Sequence, residues 1–233
     1  MSLARSAAAR RGPARHEESM LTIYHLYRSR SERLLFLAHL LGVPHRVVAY
    51  HRDPQTFLAP ASLTAVHPLG SSPVLEDATE SGPLVIAESG ASMLYMTETY
   101  GNGRLLPPPG TTARQSCLEW VHFNEGTLMA WLVTLMMLGK AGVIESATGK
   151  FALSRIERYV THLDRAVRDT PFLCGQEITV ADVTTAFTLD FLGNITFPGL
   201  FRIPALDWAT ALTAYAARLR DAPGYAYSQR RDF

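Results

Sequence analysis

HPLGSSPVLEDATESGPLVIAESGASMLYMTETYG, residues 67–101, is the stretch whose reading decides the fold. Pro68 and Pro73 stiffen its start, so VLED is entered through constrained backbone and reads as a strand. Turn-forming ATESG follows, and PLVIA beyond it has strand composition again, which makes the pair an antiparallel hairpin. From there the spacing becomes helical over 88–100, with Ser89 in the N-cap role and Gly101 as terminator. The segment is therefore a ββα unit.

Working outward toward the N-terminus, LTIYHL at 21–26 is short, apolar and β-branched, YRSRS is polar, and ERLLFLAHLLG is helical up to Gly42 and Pro44. HRVVAY at 45–50 is strand-like, which completes a βαβ unit with a parallel pair and a right-handed crossover. Toward the C-terminus, PPPGTT at 107–112 is stiff and polar, suited to linking domains. Past it the strand signals end. Ile156, Tyr159, Val160, Leu163, Ala166 and Val167 form one apolar stripe at three- and four-residue steps, as helices of a bundle do. Thr179-Val180-Ala181-Asp182 has the form of a capping box, with Ile178 as the staple before it. The expected organisation is a tail at 1–19, an α/β domain at 20–103, a linker at 104–112 and an all-helical domain at 113–233.

Composition bounds the function. Of 233 residues, 22 are Lys or Arg and 21 are Asp or Glu, so the formal charge of +1 gives no global field for nucleic acid or an anionic membrane. Small molecules or a second copy of the chain are the expected partners. The apolar run at 128–138 is too short for a membrane span and reads as a buried helix. Two cysteines, Cys117 and Cys174, lack CxxC or Cys/His spacing, so neither a metal site nor a disulfide framework is expected, and both read as core residues. The first 19 residues are rich in Ala and Arg with no acid before Glu17. They read as a tail before Met20 and leave open a transit peptide, so the expected location is cytoplasmic, or mitochondrial if the tail is such a signal.

Four local motifs carry a family resemblance: SRSER at 29–33, HPLGSSPVLED at 67–77, AESGASMLYMTETYG at 87–101 and ITVADVTTA at 178–186. In this order and at these spacings the chain resembles the glutathione transferase superfamily over 20–233. Its first half is most similar to a fungal and bacterial branch that uses a hydroxyl where others use cysteine. The resemblance implies a thioredoxin-like N-terminal domain, an all-helical C-terminal bundle and a two-fold homodimer. It implies attack of glutathione thiolate on an electrophilic small molecule, in detoxification or secondary metabolism, with glutathione as co-substrate and neither metal nor redox cofactor.

What the resemblance implies for the site follows the motifs. Ser29, four residues before Arg33, stands where serine-type members place the activating hydroxyl; Tyr24, Tyr27 and Ser31 are rival hydroxyls, and Arg28 or Arg30 could supply charge instead. Ser72, before Pro73, would pair its backbone with the cysteinyl part of glutathione, with Val74 beside it. Glu88 and Ser89 stand where a strand ends and a helix starts, a place favourable to the γ-glutamyl carboxylate, with Glu88 or a nearby acid facing the ammonium. His122, Asn124 and Met129 fall on the segment that would wall the second-substrate pocket. Ser71 departs from the pattern, since many relatives carry Lys or Arg there to meet the glycyl carboxylate; Arg52 or His67 could replace that charge. Two alternatives stay open: a glutathione-dependent isomerase, lyase or biosynthetic tailoring enzyme, and a non-catalytic binding or regulatory protein.

Overall fold

The structure is a computed structural model that describes residues 21–194 and 210–233. The expectations for the tail at 1–19 lie outside the described residues. Strands β1 (Leu21–Leu26), β2 (His45–Tyr50), β3 (Val74–Thr79) and β4 (Gly82–Ala87) form one sheet in the order β2-β1-β3-β4. β1 and β2 are parallel, while β1–β3 and β3–β4 are antiparallel. This is the mixed sheet of a thioredoxin-like domain, as expected.

Helix α1 (Glu32–Leu41) makes the crossover, and it ends because Gly42 takes a left-handed conformation at φ +66°. In that conformation the Gly42 N–H reaches the carbonyls of Ala38 and His39. α1 is buried nearly all round, and its first turn carries two buried charges, Glu32 and Arg33. Helix α2 (Ser89–Tyr100) follows β4. It starts one residue earlier than expected: Glu88, at φ +78°, is the N-cap, and Ser89 is the first helical residue. Ser89 does not cap because its hydroxyl is taken by side chains from outside the helix.

The second half is helical. α3 (Thr112–His122) runs through a π-helical turn (Phe123–Leu128) into α4 (Met129–Lys140), followed by α5 (Ala147–Ala166), α6 (Val180–Asn194), α7 (Thr210–Asp221) and the short α8 (Tyr225–Ser228). α5 buries Ile156, Val160 and Leu163 from the expected stripe. α6 lies at the centre, packed against α1, α2, α3 and α7. Its buried Thr184, Thr185 and Thr188 satisfy their hydroxyls on the carbonyls four residues earlier. Asp182 accepts from the Thr179 N–H at 2.8 Å, the reciprocal arm of the capping box, and from Leu173 N–H and Tyr215 O–H as well. The segment between α2 and α3 is tied to both halves: Arg104 donates to Leu41 O, and Leu105 O accepts from Val180 N–H. No helix among the described residues is long and apolar enough to cross a membrane.

Candidate functional site

The loop from β1 to α1 is held by a compact set of hydrogen bonds. Ser31 is fully buried, and its Oγ lies 2.8 Å from His25 Nδ1 and 2.8 Å from Ser29 Oγ. The same oxygen accepts from Leu26 N–H and approaches Leu26 O, both at 3.2 Å. Ser29 Oγ also accepts from Ser31 N–H at 3.2 Å, while Ser29 keeps 7% of its surface exposed. The Ser29 carbonyl accepts from Glu32 N–H, so Ser29 stands at the N-terminal end of α1.

The rival hydroxyls are engaged elsewhere. Tyr24 O–H donates to Glu76 at 2.7 Å, and burial together with that bond pushes its pKa up to about 12. Tyr27 O–H donates to Phe233 O and its oxygen accepts from Phe233 N–H. A phenol so occupied or so weakly acidic is poorly placed to support a thiolate.

Ser72 is joined to this loop through one shared donor: Leu26 N–H reaches Ser72 Oγ at 3.1 Å as well as Ser31 Oγ, and Ser72 O–H donates to Tyr24 O. The Ser72–Pro73 peptide is cis. Among the described residues no hydrogen bond engages the Ser72 backbone N–H or C=O, so both are available to an extended ligand. Val74 is fully buried in β3, paired between Tyr24 of β1 and Ala87 of β4.

Glu88 is exposed and holds a backbone conformation that costs a non-glycine residue about 1–3 kcal/mol, a kind of strain that gathers at ligand clamps. Beside it, Ser89 donates to Glu125 Oε1 and accepts from Arg33. Arg33 is fully buried and also reaches Glu125, Thr184 O at 3.1 Å and Thr188 Oγ1 at 2.9 Å, with the Phe187 ring 5.1 Å away. Burial alone would raise the Glu125 pKa, but Arg33, the Ser89 hydroxyl and Arg30 outweigh it and hold the carboxyl below its ordinary value. Glu125 Oε2 accepts no hydrogen bond among the described residues; Arg30 lies 3.7 Å from it. His25, Arg33 and Glu125 were not singled out from the sequence as site residues, and Ser31 was named only as a rival hydroxyl. The available signal was weak: two charges, Arg33 and Glu125, standing beside otherwise apolar helical runs.

The three second-substrate residues are not brought together as one wall. His122 is exposed, whereas Asn124 is fully buried and donates to Trp120 O and Thr185 Oγ1. Met129 packs into the core cluster. Asn124 continues the buried stripe of Cys117, Trp120 and Val121 at ordinary helical steps, and Met129 lies beyond the π turn. Ser71 is exposed, and the Arg52 guanidinium donates to Arg28 O and Phe57 O, bracing the loop instead of standing free. His67 accepts from Leu69 N–H. Cys117 is buried in the core cluster and Cys174 packs half-buried against it, both as free thiols.

Two family models match the chain: the glutathione S-transferase N-terminal domain over residues 27–99 and the C-terminal domain over residues 146–223. Glutathione S-transferase 1 of Saccharomyces cerevisiae is 29% identical over 219 residues, covering 85% of this chain and 93% of its own. The disulfide-bond oxidoreductase YghU of Escherichia coli is 25% identical over 173 residues, covering 71% of this chain and 51% of its own. Among solved structures, a glutathione transferase of Burkholderia graminis with two glutathione molecules bound per subunit superposes with a TM-score of 0.77. It is 18% identical, and the match covers 94% of this chain and 91% of that one.

Proposed function

We propose, from the premise that the chain belongs to the glutathione S-transferase superfamily, that it transfers the glutathione thiolate to an electrophilic small molecule, with Ser29 as the thiolate-stabilising donor. The observation that carries this reading is the placement of the Ser29 hydroxyl at the start of α1, one hydrogen-bond chain away from Ser72. Keeping the bound thiol ionised near neutrality means lowering its pKa by about two units, or about 2.7 kcal/mol. A charge-assisted hydrogen bond contributes about 1.5–3 kcal/mol, and a helix N-terminus adds about 0.3–1 kcal/mol. The two together are of the right size. Ser29 keeps its proton and donates a hydrogen bond, while the thiol proton leaves to water.

For the tripeptide, the Ser72 backbone would pair with the cysteinyl unit, beside Val74. The γ-glutamyl carboxylate would lie at the N-terminus of α2, on the N–H groups of Ser89 and its successor, next to the strained Glu88. Glu125, with one carboxylate oxygen accepting no hydrogen bond among the described residues, is the acid that would face the ammonium. No metal or redox cofactor enters this scheme. We place the protein as a two-fold homodimer, which would cover the exposed Phe57 and Leu58; sedimentation as a species of 25.7 kDa at high concentration would refute it.

The test is turnover of a chloro-nitroaromatic acceptor. Ser29→Ala should lower kcat/KM on the order of 10- to 100-fold, as loss of a charge-assisted bond predicts. Full activity in Ser29→Ala with loss in Tyr27→Phe would move the role to Tyr27. The likeness to YghU favours one second reading, attack of the same thiolate on a small disulfide to give a mixed glutathione disulfide and a released thiolate. Turnover of a dialkyl disulfide well above that of the aryl halide would select it.

A further inference from the structure

We infer that His25 and Ser31 are positioning residues for the thiol-activating hydroxyl: a directional chain, His25 Nδ1–H to Ser31 Oγ and Ser31 to Ser29, leaves the Ser29 proton for the bound sulfur. The inference rests on the role proposed above for Ser29.

Its starting point is the tautomer of His25. The ring is fully buried, set edge-on to Tyr27 at 4.9 Å and to Phe233 at 5.6 Å, with Nε2 out of contact with solvent. Nε2 has no hydrogen-bond partner among the described residues, whereas Nδ1 lies 2.8 Å from Ser31 Oγ. A buried N–H without a partner is costlier than a buried lone pair without one, so the proton of the neutral ring belongs on Nδ1. Burial and the nearby Arg231 hold the imidazole neutral, with its pKa lowered to about 4.

Counting lone pairs then fixes the direction. Ser31 Oγ has two: one accepts from His25 Nδ1–H, and the other from Leu26 N–H, which it shares with Ser72. With both taken, Ser29 O–H has no acceptor site on Ser31. The single Ser31 proton can go to Ser29 Oγ at 2.8 Å or to Leu26 O at 3.2 Å, and the shorter contact is to Ser29. Ser29 Oγ thus receives Ser31 O–H and Ser31 N–H on its two lone pairs. Its own proton has no partner within the loop and is presented to a ligand. Chains of this kind polarise along their length, so the terminal hydroxyl is also the stronger donor.

The experiment is a pH titration of glutathione bound to the full chain, following the ultraviolet absorbance of the thiolate, with calorimetric affinity in parallel. Ser29→Ala serves as the reference. His25→Leu and Ser31→Ala should each raise the pKa of the bound thiol by about one unit, roughly tenfold less thiolate at neutral pH, with glutathione affinity unchanged. His25→Asn, whose side-chain amide sits where Nδ1 sits, should restore most of the wild-type titration. If Ser29→Ala raises the pKa while His25→Leu and Ser31→Ala titrate as wild type, the chain is refuted and Ser29 keeps its role. If Ser29→Ala itself titrates as wild type, the reading of Ser29 falls and this inference with it. A shift in His25→Leu that His25→Asn fails to restore would make the ring a packing element and refute the inference. Should His25→Leu not fold, Ser31→Ala decides alone.

Discussion

A buried imidazole that carries no charge leaves a mark on stability as well as on the site. His25 has its pKa lowered from 6.5 to about 4, chiefly by burial and secondarily by Arg231. Between those values the unfolded chain binds a proton that the folded chain refuses, so stability rises with pH there and falls as pH drops from 6.5 toward 4. The loss amounts to at most about 3 kcal/mol. His25→Asn does not titrate, so the stability difference between wild type and this variant should change by up to that amount between about pH 7 and about pH 4. Urea unfolding at the two pH values measures it, and a difference that does not vary with pH would show that the imidazole titrates normally. At this scale the sequence was legible where a residue type sits at a motif position. Ser29, Ser72 and Ser89 were named from their places in the motifs of the family resemblance, but a motif position cannot show which hydroxyls have spare protons. That depends on His25, four residues before Ser29 on the buried β1, and on the lone pairs of Ser31.

Among the elements, legibility follows regularity. α5 announced itself because its apolar positions recur at helical steps, and β3–β4 because a turn separates two strand-like runs in register from Val74↔Ala87 to Thr79↔Gly82. The π turn at Phe123–Leu128 did not, since an added residue alters phase without altering composition. Asn124 stands at its start, in phase with the buried Cys117, Trp120 and Val121, and donates its side-chain amide to Trp120 O, four residues back. That phase explains why Asn124 is buried while His122 is exposed. The start of α5 shows a similar constraint from packing. Gly149 gives its N–H to the Ser146 N-cap, and a Cβ there would lie 1.9 Å from Ile144 O, a backbone atom that cannot rotate away. Although alanine is the better helix former by about 1 kcal/mol, Gly149→Ala should destabilise the protein by about 2 kcal/mol or more, read as a lower urea midpoint. An unchanged or raised midpoint would mean that the preceding turn moves freely.

For the whole molecule, several ion pairs join the two halves, and the one with a fully buried guanidinium is Arg33–Glu125. Arg33 enters from α1 and touches Ser89 of α2, Glu125 of the π turn and both Thr184 and Thr188 of α6. A guanidinium with no exposed surface is tolerable only while its donors and its charge are matched, and Glu125 is the carboxylate that matches the charge. Glu125→Gln should therefore cost about 3–5 kcal/mol, most of it from leaving Arg33 buried without a counter-charge. Adding Arg33→Met removes that stranded charge, so the double variant should lose clearly less than the sum of the two single losses. All three tryptophans, Trp120, Trp131 and Trp208, fall in the C-terminal half of the sequence, so fluorescence reports that half while far-ultraviolet circular dichroism reports both. If the tie couples the halves, the two signals should coincide in wild-type urea unfolding and separate in Glu125→Gln. Additive losses, or coincident curves in the variant at nearly the wild-type midpoint, would show that packing of α6 against α1 and α2 holds the halves together without the pair.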